Sequence, residues 1–346
     1  MIFMINAVNC TARVNGDSLR IRYYGAMRSD CSFLLEFPNI SVYDVRAGME
    51  LRIHNDDGTV LWGGIIERVV YKYRTSDFIS LSVFARGYEI VVSRKILTSF
   101  NASFQNLSAA LQFVFDSALF SEGFTFDSDG VPSIAEIMTG QSDGVITAEE
   151  ALDLISNFYG VCWWIDKNKV FKCCESFTVA QKNFNIAVGN VFHAGLSDFA
   201  FAESIEDYRN KQYISVGDDA YSLAMNSEEI LEMSEYFGTG EYCKIMKRSG
   251  VTDSEYGNGL AQKILNNYPG VPGYIRFTVE DFSPELFDQI SVYGGIFGNS
   301  IQPFAVISVE NRYRYGKVFS TVTGRLISGT TYSPMFNQIN NISFNI

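Results

Sequence analysis

Apolar and polar residues alternate with a period of two over most of this chain. Met49, Leu51 and Ile53 alternate with Glu50, Arg52 and His54, the pattern of a strand with one buried face. Asn55-Asp56-Asp57-Gly58 follows. Asp-Gly supplies the positive φ values of a two-residue type I′ turn. Placing that turn at Asp57-Gly58 sets Ile53 opposite Trp62 and Leu51 opposite Gly64. The Gly63-Gly64 pair in the return strand predicts a bulge or a sharp bend. The same alternation recurs at Leu19, Ile21 and Tyr23, at Cys31, Phe33, Leu35 and Phe37, and at Ile79, Leu81 and Val83. Short strands at this spacing predict a closed or half-closed barrel over residues 1–95.

The period changes to that of a helix near Leu97. Leu107, Ala110, Leu111, Val114, Phe115 and Ala118 form one apolar stripe. A polar stretch covers 121–144. Thr147 with Glu150 then makes a capping box, Leu152, Ile155 and Phe158 or Tyr159 form a buried stripe, and Gly160 stops the helix. VCWWIDKNKVFKCCE reads as a hairpin apolar on both faces. With Lys167-Asn168 as its loop, Cys162 lies opposite Cys173 and Trp164 opposite Phe171. The alternation returns near Phe184. KQYISVG reads as a strand, Ser227 caps a short helix through Glu235, and TDSEYGNGLAQKILNNY reads as a longer helix with Tyr256, Leu260 and Ile264 on one face, closed by Pro269-Gly270. Four more strands follow up to Arg325.

The predicted fold is mainly β with α+β character. Residues 1–95 and 181–333 form two small antiparallel β-barrel domains, the second with an inserted helix. They flank an α/β helix-hairpin domain at 96–180, and 334–346 is a polar, Asn-rich tail that forms an arm or a frayed end. No repeat is visible in the residues; the repeat is one of architecture.

Composition narrows the function. The chain has 346 residues and a formal charge of −12, with no Lys/Arg cluster, which argues against nucleic-acid binding. No apolar run reaches the length of a membrane span, and the N-terminus lacks the basic and apolar regions of a signal peptide. Six cysteines without a framework spacing read as reduced thiols.

No catalytic set or cofactor site emerges. The two histidines, His54 and His193, have no ligand partner at metal spacing, and neither G-x-S-x-G nor H-E-x-x-H occurs. Cys173-Cys174 would point to opposite faces of a strand, a poor metal half-site. Asp127, Asp129, Gly130 and Glu136 fall at positions 3, 5, 6 and 12 of a calcium-type loop, but its first position is Thr125 and Pro132 interrupts it. A plain polar loop is the reading for 127–136. Asp218-Asp219 and Glu228-Glu229 read as solvated acids. Gly294-Gly295 with Gly298 reads as a flexible β-turn.

The order of the segments resembles the baseplate or tail-tip hub proteins of bacteriophages and contractile injection systems. VRAGMELRIHNDDGTVLWGGIIERV is similar to the first-barrel segment of that family. Residues 147–175, with Gly160, Trp163, Trp164 and Asp166, are similar to its helix and hairpin. IEDYRNKQYISVGD is similar to the start of its second barrel, and FSPELFDQISVYG with FAVISVENRYRYGKVFSTVTGRL to its closing strands. The Gly-Asp step expected before the strand in FDQISV is missing. The resemblance implies a homotrimer whose two barrels per chain form a pseudo-sixfold ring. Such a ring would join a sixfold tail tube to a threefold spike or tip protein, contact other baseplate proteins, and sit in a virion tail assembled in the host cytoplasm. Acidic residues facing its lumen would repel passing DNA. The competing readings are a tail-associated cell-wall hydrolase, which needs a catalytic set, and a host-surface or carbohydrate-binding module, which would use exposed Tyr and Trp.

Overall fold

The computed structural model describes residues 1–25, 27–38, 45–75, 78–100, 103–138, 144–178, 180–188, 196–205, 208–216, 220–246, 254–266, 270–280, 284–297, 300–327 and 331–332. His193, the Asp218-Asp219 pair, Pro269, Gly298 and the tail beyond 333 lie outside them.

The first region holds strands β1 (Ile2–Ile5), β2 (Val8–Asn9), β3 (Val14–Tyr24), β4 (Arg28–Pro38), β5 (Glu50–His54), β6 (Val60–Thr75) and β7 (Phe78–Gly87). Antiparallel ladders arrange six of them as β1-β5-β6-β7-β4-β3, with β2 folded back on β1. Leu19, Ile21, Phe33, Leu35, Leu51, Ile53, Trp62 and Ile66 fill the core. The sheet curls enough for Phe3 on β1 to meet Phe33 on β4, with ring centroids 5.2 Å apart. Among the described residues β1 and β3 do not pair, so hydrogen bonding does not close this sheet into a barrel.

The β5–β6 register is the predicted one, with Ile53 facing Trp62 and Leu51 facing Gly64. The turn that produces it is different. Asn55 N–H donates to Thr59 O at 2.9 Å and Gly58 N–H to Asn55 O at 3.0 Å. The loop is therefore three residues long, with Gly58 at φ 85° and the Asp57 carboxylate accepting from Thr59 N–H and Oγ1. The extra loop residue displaces the register by one, and a bulge between the pairs Ile53–Trp62 and His54–Val60 restores it. Gly63 and Gly64 sit in a regular stretch of ladder, not at a bulge. They are glycine because of space. A Cβ on Gly64 would lie 2.0 Å from Arg86 O, and one on Gly63 would lie 2.7 Å from Lys167 O.

The middle region holds α1 (Glu89–Ser93), β8 (Ile96–Phe100), α2 (Leu107–Ala118), β9 (Thr125–Phe126), β10 (Gly144–Thr147), α3 (Ala148–Tyr159), β11 (Cys162–Ile165), β12 (Val170–Cys174) and β13 (Phe177–Thr178). All six residues of the predicted α2 stripe are buried, and Asn106 caps the helix by accepting from Ala109 N–H at 2.8 Å. Thr147 and Glu150 form the capping box of α3, and Gly160 ends it at φ 70°. The β11–β12 register is one residue away from the expected one. Cys162 faces Cys174, Trp163 faces Cys173 and Ile165 faces Phe171. Lys169 adopts φ 67° and Asp166 O accepts from Lys169 N–H, so this loop also has three residues, and one added residue shifts every cross-strand pair.

The remaining elements are β14 (Ala180–Val188), β15 (Leu196–Glu203), β16 (Lys211–Val216), β17 (Ala220–Met225), α4 (Ser227–Ser234), β18 (Cys243–Met246), α5 (Ser254–Leu265), β19 (Gly273–Glu280), β20 (Asp288–Gly294), β21 (Gln302–Arg314), β22 (Lys317–Leu326) and β23 (Thr331–Tyr332). KQYISV, expected to begin the second barrel, is instead the centre of a separate sheet, β17-β16-β18. Its buried face, with Ile214, Val216 and Ala224, packs under α5 and joins the core of α2 and α3. Tyr256 on α5 donates its hydroxyl to Phe158 O on α3. Asn226, one residue before Ser227, is the cap of α4.

Strands β14, β15, β19, β20, β21 and β22 form the second large unit, around Ile275, Phe277, Ile290, Val292, Phe304 and Val322. Their order is β14-β20-β21-β22-β19-β15. Ranked by sequence, both six-strand units read 1-4-5-6-3-2. The fifth strand of each carries a bulge at the same place, between Ile66 and Arg68 on β6 and between Val306 and Ser308 on β21. One pairing differs: β1–β5 is antiparallel and β14–β20 is parallel. The two units merge into a single 13-stranded sheet because β3 pairs with β21, from Tyr24–Ser308 to Arg20–Arg312.

Candidate interaction surface

The residues singled out for chemistry are dispersed. His54 stands at the β5–β6 turn, its Nδ1 3.1 Å from Gly58 O. Thr125 and Phe126 lie in β9, paired with β12, and Asp127 accepts from Gly130 N–H at 3.3 Å to cap a 3-10 turn. That carboxylate serves the backbone of its own loop. Among the described residues no three His, Cys, Asp or Glu side chains converge. Burial pushes the Cys10 thiol up to about 11 and the Cys174 thiol up to about 12, so both stay protonated near neutral pH and are poor nucleophiles. Glu229 receives the Tyr208 hydroxyl, the Asn226 amide and Gly270 N–H. It is a structural anchor for the α4 region, not a solvated acid.

The solvent face of the main sheet is organised. Glu310, Arg22, Asp30 and Arg86 lie side by side across β21, β3, β4 and β7. Opposite charges alternate along this row, the favourable cross-strand arrangement. Arg22 donates Nε to Asp30 at 2.9 Å, and Glu310 receives Arg312 Nε at 2.6 Å with Arg20 Nε at 3.3 Å. Arg68 lies over the Phe84 ring, 4.3 Å from its centroid. All of these residues but Arg312 line a concavity of about 740 Å³ that spans the junction of the two units. The sequence shows Arg20 and Arg22 as the polar side of one strand. That Glu310 stands beside them follows only from the β3–β21 pairing.

A second ion network joins the first β unit to the helical unit. Glu50 on β5 accepts from the Tyr88 hydroxyl, from Arg52 Nε at 2.9 Å and from Lys169 in the β11–β12 loop at 3.2 Å. Burial raises its carboxyl, but these donors outweigh burial and hold it below the usual carboxylate value.

Two further surfaces face outward. Leu223 and Ile245 flank Tyr213 across the small sheet, with Tyr221 and Met225 on the same side of β17, so this face is apolar and exposed. The main sheet also keeps open edges. Among the described residues β15 pairs on one side only, with β19, and β6 has no strand beyond Ile65 on the side of β5. No described helix is long and apolar enough to cross a membrane.

The arrangement has close counterparts among solved structures. A 43 kDa tail protein of prophage MuSo2 from Shewanella oneidensis is similar over 97% of this chain and 98% of its own, at 13% identity and a TM-score of 0.66. A tail protein from Neisseria meningitidis MC58 covers 96% and 98% at 11% identity, with a TM-score of 0.68. The fold is that of the phage tail proteins. The same tail-protein fold extends to an Escherichia coli component of the type VI secretion system, described as similar to T4 bacteriophage tail proteins gp27 and gp5. It matches over 96% of this chain and 78% of its own at 11% identity, with a TM-score of 0.54. No protein-family model matches the sequence, and no curated protein matches it.

Proposed function

We propose that the chain is a structural, non-catalytic hub of a phage-like tail baseplate or tail tip. Three copies form a ring of six barrel-like units that joins a sixfold tail tube to a threefold spike or tip. The observation that carries this reading is the repeated unit. Two sheets with the same strand order and the same bulge lie side by side in one chain. A trimer of such chains presents six similar faces to a sixfold tube, and three copies of the differing middle region to a threefold partner. The similar tail proteins, and the secretion-system component likened to gp27 and gp5, support the same role.

The test is the solution mass by light scattering, with the same sample imaged by negative-stain electron microscopy. The expected result is a trimer whose rings have a central hole and a sixfold outline. A dimer, or a particle that stays monomeric and ringless when tail tube and spike proteins are added, overturns the reading.

A further inference from the structure

The chain already contains one junction between its two units, and among the described residues both strand edges needed to make a second are unpaired. Equivalent positions can be read from the ladders. In the first unit Ile66, Ala85, Cys31 and Ile21 stand in one row across β6, β7, β4 and β3. In the second unit Val306, Gly324, Ile275 and Phe201 stand in the matching row across β21, β22, β19 and β15. The internal junction pairs Ile21 with Asn311, five residues beyond Val306. The matching residues are Phe201 on β15 and Tyr71 on β6, five beyond Ile66. Within one chain each of these strand edges lacks a partner among the described residues.

We infer that β15 of one copy pairs antiparallel with the distal half of β6 of the next copy, placing Phe201 opposite Tyr71, Ala202 opposite Val70 and Ala200 opposite Lys72. This deepens the trimeric reading above and rests on it. The contact is head-to-tail, so it propagates around a ring, and three internal β3–β21 junctions alternate with three β15–β6 junctions between chains. The chemistry of the edges fits. The β6 segment carries Arg68 and Lys72, whereas β15 carries Asp198 and Glu203. Opposite net charge favours this pairing over either edge pairing with itself. The pairing also removes a hazard: β15 runs Phe199-Ala200-Phe201-Ala202 along an open edge, which would otherwise invite aggregation. Tyr71, half exposed in the single chain, is covered.

Disulfide trapping tests the register. With the exposed Cys243 replaced by serine, two double variants are made, Ala202→Cys with Val70→Cys and Phe201→Cys with Tyr71→Cys. Adjacent antiparallel pairs alternate in type, and the non-hydrogen-bonded one brings its Cα atoms to about 4.5 Å, within disulfide reach. The expected result is that one double variant converts most chains to a covalent trimer on non-reducing gels, while the single-cysteine variants do not. Failure of both pairs to cross-link while the parent scatters as a trimer overturns this junction and leaves the hub reading intact. Failure of both with a monomeric parent, in the presence of tube and spike proteins, overturns the two together. Protection from hydrogen exchange, in an isolated monomer, of the β15 amides that point away from β19 would show the edge covered by its own chain and would also overturn the junction.

Discussion

The two β units share a strand order yet differ where they meet their surroundings. In the first, β3 is covered by β21 and the returning strand β6 passes under Tyr88 and the Lys167 loop. In the second, the strand equivalent to β3 is an open edge among the described residues. The common order sets what each core must contain, namely alternating apolar residues on curled strands. The differences lie in close approaches and edges, where one neighbour decides which residue is tolerated. A repeated architecture can therefore persist without a repeat in the residues.

Glycines give the largest contrast. Gly64 in the first unit has Arg86 O 2.0 Å from a would-be Cβ, whereas Gly324 in the second meets the Ile275 Cγ1 atom at 2.9 Å. A backbone carbonyl in a ladder cannot yield, but an isoleucine side chain can rotate. Ala85 already occupies the position equivalent to Gly324. Gly64→Ala is expected to destabilise by about 3 kcal/mol and Gly324→Ala by about 1–2 kcal/mol in urea unfolding. Equal losses would show that the Arg86 carbonyl yields as readily as the Ile275 side chain.

A buried acid sharpens the comparison next. Burial raises the Glu89 carboxyl to about 7, against its own backbone N–H, Ser29 N–H and the charges of Arg28 and Arg86. A folded-state value above the unfolded one means that the folded chain holds the proton more tightly. The stability this contributes is full below about 4.5 and is lost as pH rises through about 7. Glu89→Gln keeps the hydrogen-bonding shape without the charge. It should leave stability unchanged at acidic pH and raise it by about 3 kcal/mol at pH near 9, on the scale of about 1.4 kcal/mol per pKa unit. Parallel stability curves for the two proteins across that range would rule out the titration.

The smallest expected effect is at the internal junction. Glu310 stands between Arg20 and Arg312 on the solvent face. Partly exposed ion pairs contribute little, so Glu310→Gln should cost less than about 1 kcal/mol, and the cost should shrink in high salt. A loss of several kcal/mol would mean that ion pairing, not the β3–β21 ladder, holds the units together.

The helix and hairpin elements were legible where the signal is local. The α2 stripe and the Thr147–Glu150 capping box with Gly160 follow from spacing and cap residues, whereas the Ile53–Trp62 pairing agrees with the expected one only because a bulge offsets the longer turn. The Cys162–Cys174 register differs from the expected one because the loop closes over three residues, with Lys169 at positive φ and the Asp166 carboxylate accepting from Asn168 and Val170 N–H, a choice the residue types do not signal. The small sheet was missed because KQYISV alternates like any strand, and alternation does not name a partner. As for the candidate surface, Arg20 and Arg22 were visible as a polar face, but their alignment with Glu310 was not.

The sequence by itself determined the mainly β character and the buried faces of α2, α3 and most strands. Those depend on period, on capping side chains and on glycine at left-handed positions, all within a few residues of one another. Only the tertiary structure decided the order 1-4-5-6-3-2, the merging of both units through β3 and β21, and which edges stay open. A β ladder is made of backbone N–H and C=O groups, which nearly every residue carries alike. Which edge meets which is therefore set by how the whole sheet curls and packs, over separations that no local pattern records.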